Sequence, residues 1–176
     1  MKNNLKELNR QLKILAIYQI AGGGIGLAST IWLLVTTSPL SVLTLLIILI
    51  AISLYGFSIY CGTILLKKQM AGLRISKINQ LLQVVQFMVL GWGFQYVSGL
   101  SLTIHLDLTE SFEFGFGLNL STWQINVNTG DRDIFASLNL MAIFLVIFID
   151  KAIQKLKTSE LDQKVMEIGM QEEQMN

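Results

Sequence analysis

The sequence has little charge, one cysteine and one proline. Only 14% of its 176 residues are charged, well below the roughly 25% that is typical of soluble domains, and 52% are apolar. A single cysteine excludes a disulfide framework and a cysteine-rich zinc site. The low charge, together with apolar runs long enough for a bilayer, excludes an ordinary soluble domain, a disordered tail and a nucleic-acid-binding protein. The composition therefore predicts a membrane protein.

Four apolar segments predict transmembrane helices, because a helix needs about 20 apolar residues to cross the hydrocarbon core. They are residues 14–35, 42–66, 78–97 and 134–149. None contains an internal charge, and the short fourth segment is expected to continue as helix through Lys151, whose stem can reach the interface. The predicted fold is an all-α membrane bundle of four transmembrane helices, with a small antiparallel β-hairpin or meander in the outer loop between helices 3 and 4.

Basic residues predict the orientation of this bundle, because lysine and arginine near span ends remain in the cytoplasm. Of the 13 basic residues, all except Arg132 lie before the first span, between the second and third spans, or after the fourth. Both termini are therefore expected in the cytoplasm, and the protein is expected in a bacterial inner membrane. Residues 1–157 form the predicted transmembrane domain, with the outer β insertion at 99–130, and residues 158–176 form a cytoplasmic tail.

The outer segment between the third and fourth spans alternates between apolar and polar residues. The alternation is strict over residues 100–108 and again over 112–120, and a period of two predicts strands with one apolar face. The alternation slips at Ser121 and Thr122, which predicts a bulge or a tight turn. Residues 128–131 form a turn signal that ends the predicted sheet.

The two strands are expected to pair as an antiparallel hairpin. A loop of odd length, residues 109–111, keeps apolar side chains opposite each other. In this register Leu106 faces Phe114, and Asp107 faces Glu113. The resulting apolar face is too large to remain in water. We expect it to pack on the outer ends of the protein's own helices, with the bilayer surface and a partner protein as alternatives.

The residues capable of nucleophilic chemistry do not form a catalytic group. The only cysteine, Cys61, lies near the inner end of the second span, whereas the only histidine, His105, lies in the outer sheet. Most of the ~30 Å hydrocarbon core separates them. Nothing resembling a nucleophile elbow surrounds His105, and the absence of mid-membrane charge argues against an ion-coupled pump. We expect no enzyme activity, no catalytic residue and no cofactor.

Three side chains of the outer sheet are polar-face candidates: His105, Asp107 and Glu113. His105 and Asp107 share one strand face, and the inferred register places Glu113 opposite Asp107. A divalent cation would relieve the repulsion between the facing carboxylates. Three ligands at an inferred register fall short of a metal motif, so the favoured interpretation is three solvated side chains and no metal.

A glycine-rich stretch lies within the first span, where Gly22 and Gly26 form a G-x-x-x-G pattern. In lipid this spacing is typical of a close approach between helices. The stretch lacks both the G-x-G-x-x-G spacing and the preceding strand of a nucleotide-binding loop. Packing within the chain is favoured over packing against a second copy.

Amide side chains form a polar stripe at the start of the third span. Asn79, Gln83 and Gln86 are spaced by four and three residues, which places them on one side of a helix, and Gln19 of the first span lies at a similar depth. Hydrogen bonds between helices, typically worth less than about 2 kcal/mol each, are the favoured role. The alternative is a polar cavity for a solute or a lipid headgroup.

The sequence leaves the function open between two classes. The first is a non-catalytic multi-pass membrane protein that acts through protein–protein contacts, in an accessory, immunity-type or envelope-assembly role, and that uses the amphipathic outer β-sheet. The alternative is a small transporter or oligomeric channel with the polar stripe on helix 3, and an intramembrane enzyme comes third. The expected partners are the lipid bilayer and another membrane or envelope protein or a second copy, with no nucleic acid.

Overall fold

The computed structural model describes residues 2–37, 41–110, 112–130 and 133–175. This part of the chain contains four helices and six strands. In chain order they are α1 (Lys2–Thr36), α2 (Val42–Lys67), α3 (Gln69–Leu81), β1 (Val85–Val89), β2 (Trp92–Tyr96), β3 (Leu100–Asp107), β4 (Glu113–Leu120), β5 (Trp123–Asn126), β6 (Ile134–Asn139) and α4 (Leu140–Met175).

The predicted bundle of four transmembrane helices with a small hairpin is wrong. Within the described residues, two helices are long and apolar enough to cross a membrane, Lys6–Thr36 of α1 and Val42–Lys67 of α2. The predicted third span, 78–97, forms the end of α3 followed by β1 and β2, and the predicted fourth span, 134–149, forms β6 and the start of α4. In place of the small hairpin stands a six-stranded antiparallel sheet.

The third predicted span is not one long helix, because exposed apolar residues alternate with buried residues along part of it. Val85 and Phe87 are exposed on either side of the buried Gln86, which is the period of a strand and not of a helix. Leu90 and Gly91 then both have positive φ, 50° and 83°, as a two-residue type I′ hairpin turn requires. A hydropathy average over 20 residues does not register either feature.

The fourth predicted span fails because a helix cap divides it. The buried side chain of Asn139 accepts hydrogen bonds from the backbone N–H groups of Met141 (3.1 Å) and Ala142 (3.2 Å). An asparagine at this position satisfies the free N–H groups of a first helical turn, so α4 begins at Leu140. The residues before Asn139 pair as β6 with β1 and β3.

The sheet is rolled. Its strand order is β4-β3-β6-β1-β2-β5, yet the terminal strands β4 and β5 are separated in the chain only by Ser121 and Thr122. The backbone pairing continues across this bend, because Val97 N–H donates to Thr122 O and Ser121 N–H donates to Gly99 O, both at 2.8 Å. The two ends of the sheet therefore meet at the bend, where the alternation of the sequence slips and where Ser121 has a φ of 41°.

The predicted register of the β3–β4 hairpin is confirmed. Leu106 pairs with Phe114, and Asp107 pairs with Glu113. The strict alternation and the odd loop were sufficient to fix this pairing, because a slip by one residue would reverse the face of every side chain. The turn signal at 128–131 does not end the sheet, since β6 follows it.

The four helices pack at the end of the molecule that contains the start of α1. The helix α3 turns back along α2, where the thiol of Cys61 donates to Ile75 O at 3.6 Å. The helix α4 lies against α3, and Lys77 Nζ pairs with Asp150 Oδ1 at 2.7 Å. The helical core consists of Leu8, Leu12, Leu15, Ala16, Leu65, Leu73, Ile149 and Ala152.

Candidate functional site

The outward face of β1, β3, β4 and β6 is apolar and exposed. Phe116 is 69% exposed and Leu118 is 71% exposed. The other large exposed side chains of these strands are Val85, Phe87, Val89, Leu100, Leu102, Phe114, Leu120 and Leu138. The expectation that the apolar face packs on the protein's own helices is therefore wrong.

The opposite face of the same strands, which is turned into the molecule, is polar. Its buried members are polar except for Met88; the polar ones are Gln86, Ser101, Thr103, Ser137 and Asn139. A sheet that faces water on one side ordinarily buries its apolar side chains and exposes its polar ones. The reverse arrangement, polar inside and apolar outside, is that of sheets that face lipid.

The inner face of the sheet meets the helices in a buried hydrogen-bonded network centred on Ser58 of α2. Ser58 Oγ donates to Gln19 O at 3.1 Å, and Asn79 Nδ2 donates to Ser58 Oγ at 3.1 Å. Ser98, in the bend between β2 and β3, places its hydroxyl 2.8 Å from Ser58 Oγ. Its backbone N–H donates to Gln83 Oε1 at 2.8 Å. One network thus joins α1, α2, the α3 region and the sheet.

The structure brings together three of the four predicted amide residues and separates the fourth. Gln19, Asn79 and Gln83 share the network around Ser58, whereas Gln86 lies on β1 and its Oε1 accepts from Ser137 Oγ at 3.3 Å. Further members were not predicted: Ser58, Ser76 (which donates to Gln19 Oε1 at 3.2 Å), Ser98 and Tyr96. The sequence signal for Ser58 was its position as a polar residue inside a long apolar helix.

Several polar atoms around this network are buried and have no hydrogen-bond partner within the described chain. They are Gln19 Nε2, both amide atoms of Gln80, Gln86 Nε2 and Ser101 Oγ. A buried polar group that lacks a partner costs about 1–3 kcal/mol. These atoms offer donors and acceptors that suit ordered water or a polar solute.

The predicted glycine pair lies in contacts within the chain. A Cβ atom at Gly22 would collide with the backbone N of Gly99 in the sheet, and one at Gly26 would collide with the ring of Tyr55 in α2. The glycines therefore allow a strand bend as well as a helix to approach α1. By contrast, Gly24 faces open space.

Two of the predicted polar-face residues, Asp107 and Glu113, line an open cavity of about 290 Å³ at the far end of the β3–β4 hairpin. The imidazole of His105 covers Gly115 of β4. Hydrogen bonds from the side chain and the backbone N–H of Thr109 lower the pKa of the Asp107 carboxyl. The cavity is lined by Asp107, Thr109, Glu110, Glu113, Asp133 and Phe135.

The described residues contain no group of three histidine, cysteine, aspartate or glutamate side chains arranged to hold a metal ion. Ser111, Asp131 and Arg132, which belong to the predicted outer loops, lie outside the described residues. Cys61 is buried between α2 and α3, and His105 lies on β3. The absence of enzyme activity stays a prediction.

Comparisons of the chain with protein-family models, with curated proteins and with solved structures find no match.

Proposed function

We propose that this chain is a non-catalytic integral membrane protein that acts through contact with another membrane or envelope protein, and that strand β4 makes the contact. The observation that carries the proposal is the position of β4. It is a terminal strand of the sheet, and its outward side chains Phe114, Phe116 and Leu118 are 58%, 69% and 71% exposed.

A terminal strand presents backbone N–H and C=O groups along its outer edge, and a strand of another chain can pair with them. No strand of the described chain pairs with the outer edge of β4. The exposed phenylalanine and leucine side chains supply the apolar contacts that accompany such pairing, with cross-strand aromatic pairs contributing roughly 0.2–1 kcal/mol each. Such a contact would serve an accessory, immunity-type or envelope-assembly role.

We propose a bacterial inner membrane as the location, with the start of α1 and the end of α4 in the cytoplasm. Lys6 and Arg10 lie near the start of α1, and Lys67 is the last residue of α2 and is followed by Lys68, at the same side of the helix pair. Lysine and arginine near span ends favour the cytoplasmic side. The carboxylates of the cavity lined by Asp107 lie at the far end of the sheet from this basic side.

Site-specific photocrosslinking in cells tests the contact. A photoreactive phenylalanine analogue replaces Phe116 of β4 in one variant and Phe144 of α4, which is 63% exposed, in the matched control. We expect a covalent adduct with a distinct protein at position 116 and none at position 144. Leu118→Lys should abolish the adduct, because it places a charge in the apolar row without touching the core.

Two outcomes would contradict the proposal. Equal adducts at both positions would show that membrane neighbours meet the whole surface, and no adduct at position 116 would remove β4 as a contact. An adduct between two copies of this chain would favour an oligomeric assembly over contact with a distinct protein.

A small transporter or oligomeric channel is the second candidate, and the unpartnered atoms of Gln80 and Gln86 favour it. A polar interior that carries unused donors and acceptors suits a water-accessible path. Cysteine substitutions at Gln83 and Gln86 should then react with aqueous thiol reagents, whereas the native buried Cys61 serves as the unreactive reference. If neither position reacts, the interior is a closed structural network and this candidate fails.

A further inference from the structure

The sheet touches α1 and α2 halfway along their length. Tyr96, at the end of β2, places its hydroxyl 2.8 Å from Leu54 O, and Ser98 is bonded to Ser58. On the other side Gly99 lies against Gly22. Both helices are candidate membrane spans, α1 over Lys6–Thr36 and α2 over Val42–Lys67. These contacts therefore fall near the middle of each span.

From this point the strands extend towards the outer end of α1. Ser121 Oγ donates to Gly22 O at 2.9 Å, and two residues later Trp123 Nε1 donates to Thr30 Oγ1 at 3.0 Å. Because every strand pair is antiparallel and both bends lie at the same end, the other strands run in the same direction. The eight residues of β3 span about 26 Å at roughly 3.3 Å per residue.

We propose that the sheet stands in the outer half of the bilayer, with the outward face of β1, β3 and β6 in contact with lipid acyl chains. Half of the hydrocarbon core is about 15 Å thick, so the part of the sheet nearest the bends at residues 97–99 and 121–122 lies in hydrocarbon. The hairpin end, with Asp107, Glu110 and Asp133, reaches the headgroups and water.

The distribution of side chains along the strands fits this depth. The exposed outward residues near the bends are apolar, including Leu102, Leu138 and Val85. The acidic side chains at the hairpin end line an open cavity. A polar face turned inward and an apolar face turned outward is the arrangement that lipid requires of a sheet. An extramembrane sheet with this arrangement would present the same apolar face to water.

Backbone hydrogen bonding supports the same placement. In hydrocarbon every backbone N–H and C=O group needs a partner within protein, and the rolled sheet pairs β1, β2, β3 and β6 on both edges. The terminal strands β4 and β5 keep one outer edge each. The inference rests on membrane insertion of α1 and α2 as proposed above, and the protein contact proposed at β4 supplies the backbone partners that its outer edge needs in hydrocarbon.

Nitroxide accessibility in lipid vesicles tests the depth. Single cysteines are introduced on a Cys61→Ala background at Leu102 and Leu138, which are 42% and 48% exposed on the outward face. Ile50 of α2, which is 50% exposed, is the lipid reference, and Glu110 is the water reference. We expect labels at positions 102 and 138 to collide with oxygen in preference to a water-soluble nickel chelate, as at position 50, whereas the label at position 110 prefers the chelate.

Each other outcome overturns the inference and identifies what failed. A chelate preference at positions 102 and 138 with an oxygen preference at position 50 would place the sheet in water while α2 remains inserted. Low collision with both reagents at 102 and 138 would show that protein covers the face. A chelate preference at position 50 would remove membrane insertion and the proposed function with it. Each labelled variant should unfold at the same temperature as the unsubstituted protein, which shows that it is folded. The use of two sheet positions, 102 and 138, means that the result does not depend on one variant.

Discussion

Gly22 is the residue on which the approach of the sheet to α1 depends. Gly22→Ala adds a Cβ atom that meets the backbone of Gly99, and backbone cannot move aside as a flexible side chain can. We expect a loss of about 1–3 kcal/mol in the free energy of unfolding, as for other overpacked sites. The measurement is thermal unfolding of the purified protein in mild detergent.

Gly24→Ala is the matched control for this prediction, because nothing lies within 4 Å of the added atom and alanine favours a helix by up to about 1 kcal/mol. It should leave stability unchanged or raise it. Equal losses for the two variants would show that the contact between Gly22 and Gly99 does not hold the sheet in place.

The hydroxyl group of Ser58 lies at the centre of the buried hydrogen-bonded network. Ser58→Ala removes the acceptor of Asn79 Nδ2 and the partner of Ser98 Oγ, which leaves both groups buried without that bond. The expected loss of stability is about 1–3 kcal/mol. Ser53→Ala on the same helix removes only a bond to Leu49 O at an exposed position and should change stability by less than about 0.5 kcal/mol.

The junction of β6 and α4 is the element-scale feature that the hydropathy of the sequence conceals. Asn139→Ala removes the cap from the first turn of α4, and we expect a loss of about 1–2 kcal/mol in the free energy of unfolding. Asn139→Ser, which keeps a capping oxygen, should recover most of that loss. A serine variant as unstable as the alanine variant would show that the amide acts by some means other than capping.

Elements with a strict local pattern were predicted, and elements that depend on a break in an apolar run were not. The β3–β4 hairpin followed from unbroken alternation and an odd loop. Residues 78–97 and 134–149 were predicted as spans because average hydropathy does not distinguish an apolar strand pair, or a strand followed by a helix, from one long helix. The signals were the alternation around Gln86, the turn at Leu90 and Gly91, and the cap at Asn139.

The candidate site shows the same division. Gln19, Asn79 and Gln83 were predicted as partners because amides in an apolar environment seek hydrogen bonds. Ser98 was not predicted, since its contact with Ser58 exists only because the strand bends over residues 97–99. The direction of the apolar face was predicted wrongly for a related reason: alternation reveals that two faces differ but not which one faces the interior.

At the scale of the whole molecule, the central proposal is that the sheet and the helices form one membrane-embedded unit with a polar interior. The most direct measurement is nuclear Overhauser transfer from lipid acyl-chain protons and from water to leucine methyl groups in a lipid nanodisc. The account predicts cross-peaks from Leu102 and Leu138 to acyl methylene protons and none to water. Cross-peaks from both methyl groups to water, with none to lipid, would contradict it.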